Sequence, residues 1–549
     1  MILEPHPRKD ACTSPESRLA AAAAPNLRPK TSREVKSFMK IFQYFLILYL
    51  CGLTVLVADT RAQSIDDAIW LPRTDAHYGP VKDYVEEIPV ADYRHASPEA
   101  FEAFRDIKYG IRIHWGLYST RFSGGESWPF LDLPFDKKQE YQEIYKTWNP
   151  SGFNAEEWMT LFQENGLRMF AFTSKHHEGF SMFDTQTRVR RRVNWTAPGG
   201  PRIEDCDLAY SIIETPFGRD VVKELCDAAH RHGIKIDLYF SHSDWYDADF
   251  RPYGYSPITT PGAAEHPELY GNAYILDRAK NFFFIAPDPK AEEEARMTAR
   301  HRRQLEELLT NYGKIDMLCL DMWLGGRVWP ELRETIKALR RLQPDVMLRA
   351  RGIGNYGDYY TPEGFVPGSK ENTAMPWFVI YPLGRSFSYE PDPAQHKGGP
   401  WIVRNLIDAV SKGGAFMVGI GPDTKGRFHP KAVENLKEAG GWLKVNGEGI
   451  YATRSREGDL WKEGPDIRFT RSKDRRYVYA FALGWPGGNL RLKSVRPKAG
   501  STVTMLGVKE PLKWRQDSGG LSIEIPETLQ DPARRPCGTA WTFRIEAAP

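Results

Sequence analysis

The stretch NYGKIDMLCLD, Asn311 to Asp321, decides the reading of the fold. The charge-rich segment leading into it (292–313) has helical character and ends on Gly313, the residue type that accepts a left-handed helix C-cap. An apolar run from Ile315 to Leu320 then reads as a buried strand, and it closes on a carboxylate, Asp321. Side chains alternate along a strand, so Cys319 and Asp321 share one face and Leu318 and Leu320 the other.

Helix, glycine, strand and terminal polar group recur along the chain. Strand-like runs fall at 109–116, 166–175, 233–241, 314–321, 345–350 and 413–421. Helix-like segments fall at 155–166, 217–233, 292–313, 329–342 and 399–414. Such alternation means parallel strands joined by crossover helices. A doubly wound sheet would carry a glycine-rich phosphate loop after its first strand, and none is present. The polar residues instead stand at the ends of many strands: His114, Lys175, His176, His177, Tyr239, His242, Asp321, Arg349 and Arg351. A closed barrel gathers such ends on one rim. The expected fold is therefore α/β, a (β/α)8-type barrel over 105–445 followed by a small C-terminal antiparallel β-sandwich over 446–549. Residues 243–290 read as a long insertion rich in Pro, Tyr and Gly, and 63–104 as a lead-in segment.

Composition narrows the class. The 549 residues are 41% hydrophobic and 26% charged, with a net charge of +3, which gives no basic excess for holding nucleic acid. Sixteen Trp, 25 Tyr and 28 Phe suit a large core and also suit stacking on sugar faces. Near the N-terminus, Lys36 and Lys40 precede an apolar run from Ile41 to Ala58, and Thr60 and Ala62 place small residues ahead of Gln63. This pattern is expected of a signal peptide beginning near Met39, with 1–38 an extension, so the chain is expected to be exported, to the periplasm or outside the cell. A membrane anchor is the other reading of the same run. The four cysteines beyond it, Cys206, Cys226, Cys319 and Cys537, form no Cys-x-x-Cys pair; a Cys206–Cys226 bridge is the one pairing considered.

The rim residues suggest chemistry. A carboxylate held by a strand, as Asp321 is, can attack an anomeric carbon or activate water; its bland reading is a helix cap or an ion-pair partner. A glycosidase needs a second carboxyl group that starts the cycle protonated. Glu363, flanked by Tyr359 and Tyr360, and Glu371, in a more polar stretch, are the candidates, and apolar screening by the tyrosines favours Glu363. Asp358 could bind a sugar hydroxyl. His176 and His177 are consecutive, so the backbone must bend to present both. A metal site is their rival reading, but no compact acidic cluster accompanies them, and hydrogen bonding to hydroxyls fits better. His114 with Trp115 fits a donor beside a stacking ring, or a satisfied core histidine; Arg351 fits a group that orients a carboxylate, or a solvated surface charge.

KYGIRIHWGLYST (108–120), FTSKHHEGFSMFDT (172–185), LLTNYGKIDMLCLD (308–321), GDYYTPE (357–363) and KGGAFMVGIGPDTKGRFHP (412–430) together resemble the retaining α-L-fucosidases of glycoside hydrolase family 29. The resemblance implies Asp321 as nucleophile and Glu363 as acid/base, with Glu371 in reserve. It implies that His114, His176 and His177 bind sugar hydroxyls, that Tyr239 lines the pocket and that Trp115 contributes to its floor. It implies no cofactor and no metal, and a fucosylated oligosaccharide or glycoconjugate as the partner. The chain departs from that family at Cys319, where relatives often carry Trp, and around 371–392. Those departures leave three alternatives: an α-L-galactosidase on the same fold, an inactive carbohydrate-binding relative, and a structural adhesin. Cys319 is where a change of sugar preference is expected.

Overall fold

The computed structural model describes residues 71–75, 77–121, 125–250, 290–363, 366–367 and 375–548. The signal-peptide expectation, most of the 243–290 insertion and the reserve residue Glu371 lie outside these. Among the described residues, no helix is long and apolar enough to cross a membrane.

In chain order the first domain contains helix α1 (Pro98–Ile107), strand β1 (Tyr109–Ile113), helices α2 (Phe135–Gln142) and α3 (Ala155–Glu164), and strand β2 (Met169–Lys175). A hairpin follows, β3 (Val189–Asn194) and β4 (Arg202–Leu208), then α4 (Val221–His232) and β5 (Lys235–Ser241). The second half holds α5 (Ala291–Thr310), β6 (Met317–Asp321), α6 (Trp329–Leu342), β7 (Met347–Leu348), β8 (Phe378–Pro382), α7 (Gly399–Ser411), β9 (Ala415–Ile420) and α8 (Pro430–Asn446). Helix α4 shows how the sequence writes these elements. Asp220 caps its first turn by accepting from Lys223 N–H, and Val221, Val222, Leu225, Cys226, Ala228 and Ala229 are buried. His230 and Arg231 lie in its last turn, and Gly233 ends it at φ +64°.

Seven parallel strands curl in the order β7-β6-β5-β2-β1-β9-β8. The two edges, β7 and β8, are joined through residues 358–363 by single bridges: Arg349 to Tyr359, Tyr360 to Trp377 and Glu363 to Ile380. Ala350 N–H donates to Tyr359 O (2.9 Å) and Ile380 N–H to Pro362 O (3.2 Å), so this irregular segment occupies the eighth strand's place. The strand expected over 345–350 is only two residues long, and β8 and the β3–β4 hairpin were not anticipated. The strand interiors β1, β2, β6 and β9 are wholly buried. Each Leu, Ile or Phe so placed contributes about 1.5–3 kcal/mol.

The barrel interior below the rim is polar where branched aliphatics would be usual. Arg112 from β1, Asp237 from β5, Cys319 from β6 and Arg349 just past β7 are buried together with Tyr359, whose hydroxyl donates to Asp237 (3.2 Å). Burial pushes the Asp237 carboxyl up to about 6 against the pull of Arg112 and Arg349.

The lead-in segment 77–96 lies along the loop 352–358. Tyr84 Oη donates to Gly352 O (3.3 Å), Val81 and Val85 pack over Gly354, and Val90 N–H donates to Tyr356 Oη (3.0 Å). His95 Nδ1 meets Asp358 Oδ1 (3.0 Å). Asp358 also accepts from Leu348 N–H (2.8 Å) and pairs with Arg340, and it is fully buried. It is a clamp holding lead-in, α6 and the bridging segment together, and does not reach a sugar. Asp358→Ala strands a buried guanidinium and is expected to destabilise the fold by about 3–5 kcal/mol, measured by urea unfolding.

Past α8, two antiparallel sheets share one apolar core. Phe469, Ala480, Val503, Phe543 and Ile545 from the larger sheet pack with Leu490, Leu492, Leu521 and Ile523 from the smaller one, which makes a sandwich. It is fixed to the barrel by Trp442 Nε1–H donating to Ala540 O (2.9 Å) and by Arg468 pairing with Asp408 (2.9 Å). All four described cysteines are free, so Cys206 and Cys226 form no bridge.

Candidate active site

Asp321 is the last residue of β6, paired with Ser241 of β5, and its carbonyl accepts from His242 N–H (2.8 Å). The next residue, Met322, sits at φ +63°, an uncommon conformation for a non-glycine side chain. It turns the chain sharply off the strand and leaves the Asp321 carboxylate at the cavity. Gly352 on the neighbouring loop makes room for this turn: a Cβ there would lie 2.5 Å from Met322 O and 2.8 Å from the His242 ring.

One guanidinium ties two carboxylates together. Arg351 Nη1 donates to Asp321 Oδ1 (2.8 Å) and Nη2 to Glu363 Oε1 (2.6 Å). Arg349 reinforces both, lying 3.6 Å from Asp321 Oδ1 and 3.1 Å from Glu363 Oε1. Tyr239 Oη donates to the other Asp321 oxygen (2.6 Å). Burial opposes ionisation of Asp321, but Arg351 and Arg349 outweigh it and hold the carboxyl well below the ordinary range. Asp321 is thus a fixed anion. The Glu363 side chain is 40% exposed, at the cavity. Burial opposes its ionisation too, and the same two arginines win, so its pKa is lowered. The Tyr359 ring expected to screen Glu363 points down to Asp237, and the burial that does act on the carboxyl is outweighed by the arginines.

His114, His176 and His177 line the same cavity of about 750 Å³. The bend expected before the His pair is a register shift in the β2–β5 ladder between Thr173 and Lys175. Beyond it both rings reach the cavity with centroids 4.1 Å apart. Ser127 Oγ holds His176 Nδ1 (2.6 Å) and Ser241 Oγ holds His177 Nδ1 (2.7 Å). Burial lowers all three imidazoles, His176 to about 3, so they are neutral hydrogen-bonding groups at neutral pH. Among the described residues, no group of three His, Cys, Asp or Glu side chains could hold a metal ion.

The sequence profile of the α-L-fucosidase family matches residues 89–448, and that of the α-L-fucosidase C-terminal domain matches 462–546. The chain belongs to the α-L-fucosidase family. Human plasma α-L-fucosidase is 26% identical over 475 residues, covering 80% of this chain and 89% of that one. An α-L-fucosidase of Branchiostoma floridae is 26% identical over 507 residues, covering 88% and 98%. α-L-Fucosidase isoenzyme 1 from Paenibacillus thiaminolyticus has the same fold, with a TM-score of 0.64 at 23% identity over 82% of this chain and 99% of that one. So does the Thermotoga maritima α-fucosidase solved in complex with fucose, at a TM-score of 0.61, 22% identity and coverage of 82% and 97%.

Within this family member, two expected positions need correction. Trp115 does not floor the pocket. His114 and Trp115 are consecutive and face opposite ways. With His114 at the cavity, Trp115 packs outward on Trp148, Phe153 and Trp158, and its Nε1–H donates to Asp423 O (3.0 Å). Tyr239 grips Asp321 from beneath and is not part of the cavity lining. Cys319 is also one layer down, where its sulfur accepts from Arg112 (3.0 Å) and Arg349 (3.1 Å). Its contact with the site runs through those arginines.

Sequence reasoning missed Glu126, Trp128, Arg112 and Phe387, all at the cavity, and it placed Arg349 at a strand end without giving it a role. Glu126 is buried, its Oε1 accepts from Phe387 N–H (2.9 Å), and burial raises its pKa. Its only sequence signal was a carboxylate beside Ser127 and Trp128 in a loop.

Proposed function

We propose that the chain is an exo-acting retaining glycosidase that releases terminal α-L-fucose from glycans. The observation that carries this reading is the Arg351 fork holding Asp321 and Glu363 together below three neutral histidines. Two carboxylates bound to one guanidinium suit a retaining pair, which stands closer than the roughly 6.5–9.5 Å that an inverting pair keeps for an intervening water. In this mechanism Asp321 attacks C1 while Glu363 protonates the leaving oxygen, and Glu363 then deprotonates the water that releases the sugar. The Asp321 charge is among the influences that raise the pKa of Glu363. Once Asp321 becomes an ester that influence vanishes and the Glu363 pKa falls, so Glu363 gives up its proton and stands ionised, as a general base must, for the second step. Neutral His114, His176 and His177 suit sugar hydroxyls, and the apolar lining at Ile380 and Phe387 suits a C6 methyl over a hydroxymethyl.

Glu126 supports a second assignment of the acid, because it has the raised pKa that a proton donor needs and Glu363 has not. The substrate is a fucosylated oligosaccharide or glycoconjugate. The basic-then-apolar pattern at 36–63 supports export, to the periplasm or outside the cell. Assay on 4-nitrophenyl α-L-fucoside, α-L-galactoside and β-D-galactoside, with NMR of the first-formed anomer, tests the reading. The fucoside is expected to be cleaved fastest, with α-L-fucose appearing first. Binding without cleavage would identify an inactive relative, and preference for the galactoside the sister activity.

A further inference from the structure

The cavity is larger than one six-carbon sugar requires: about 750 Å³ falls within the roughly 300–1,000 Å³ of sites that enclose drug-sized ligands. Part of its wall comes from an unexpected place. His77, Pro80, Lys82 and Asp83 line it, and they precede residue 89, where the match to the family begins. They are held there by the packing of Val81, Val85 and Tyr84 on the 352–358 loop, the loop that also leads from Arg351 to Glu363. Trp323, two residues past Asp321, lines the same cavity.

We propose that residues 77–83 and Trp323 form a leaving-group subsite that takes a neutral sugar unit linked to the fucose; this rests on reading the adjoining site as a fucosidase. The chemistry of the wall selects that class. An indole face offers a surface for the C–H groups of a pyranose, while Asp83 accepts from hydroxyls and Lys82 donates to them. Neither the Lys82 nor the Asp83 side chain has an ion-pair or hydrogen-bond partner among the described residues, so both can turn to a ligand. One cation beside one anion gives no net attraction for a charged neighbour. His77 adds no charge, since burial and then Arg351 lower its imidazole to about 3. Because the wall is contributed by a segment ahead of the family-matched domain, preference for what lies beyond the fucose is set by this chain's own lead-in.

The test separates the subsite from the chemistry. The double variant Lys82→Ala/Asp83→Ala is compared with the unaltered protein on α-L-fucosyl fluoride, which has no sugar leaving group. Both are also assayed on 2′-fucosyllactose, 3-fucosyllactose and α1,6-fucosyl-N-acetylglucosamine. On whichever oligosaccharide the unaltered enzyme cleaves fastest, the ratio of kcat/KM to that on the fluoride is expected to fall about tenfold. Equal losses on both, or an unchanged ratio, would overturn the subsite. So would an unaltered enzyme that cleaves the fluoride but none of the three oligosaccharides. Failure of the unaltered enzyme to cleave the fluoride would instead overturn the fucosidase reading beneath it.

Discussion

Asp321→Asn is expected to lower kcat on an aryl α-L-fucoside by roughly 10⁴–10⁶-fold, the scale on which removal of an attacking group is felt. Asp321 leaves β6 at a point where its backbone is bonded to β5, and the Met322 turn fixes its direction. Asparagine keeps an oxygen that can accept from Arg351 or Tyr239 but loses the charge that attacks C1. It also leaves Arg349 and Arg351 with one anion fewer, so the variant should melt lower while remaining folded by circular dichroism. A folded Asp321→Asn protein with near-native turnover would exclude Asp321 as the nucleophile.

Glu363→Ala is expected to give a loss that depends on the leaving group. On an oligosaccharide, whose departing oxygen needs a proton, kcat/KM should fall about 10²–10⁴-fold. On a substrate with an activated leaving group the first step needs no acid, so kcat/KM should fall far less and the glycosyl-enzyme should accumulate. Azide, which needs no general base, should then rescue turnover and yield α-L-fucosyl azide, with configuration retained. The same measurements on Glu126→Gln decide between the two carboxyls. If that variant shows the leaving-group dependence and Glu363→Ala does not, Glu126 is the proton donor.

The elements that the sequence made legible are those with continuous physical patterns. β1, β2, β5, β6 and β9 are apolar runs buried on both faces, and α3 to α7 have clear helical periodicity, so order and type could be read directly. β8 was not read, being five residues with Pro376 just ahead of it and Pro382 at its end, where proline disfavours a strand. The β3–β4 hairpin is charge-rich and half-exposed, and has no apolar run to find. At the site, residues on strand ends were found: Asp321, His114 and the His176–His177 pair. Glu126 and Trp128 lie where the chain runs through loop and a short 3-10 turn, and spacing carries no information there. Residues 63–104 were read only as a lead-in segment, because what orders them is the 352–358 loop, far away in sequence. Adjacency in sequence does not set which way a ring points, and Tyr359 turns away from Glu363. The charge on Glu363 is governed by Arg349 and Arg351.

The bridging segment 358–363 has a consequence for how such an enzyme can change. Asp321 belongs to a strand laced into the sheet by regular bonds on both sides, whereas Glu363 lies on a seam stitched by single bridges. Insertions or substitutions along that seam can shift Glu363 without disturbing Asp321 or the histidines. Tolerance for different leaving groups is therefore free to drift in this architecture while recognition of the sugar itself stays fixed.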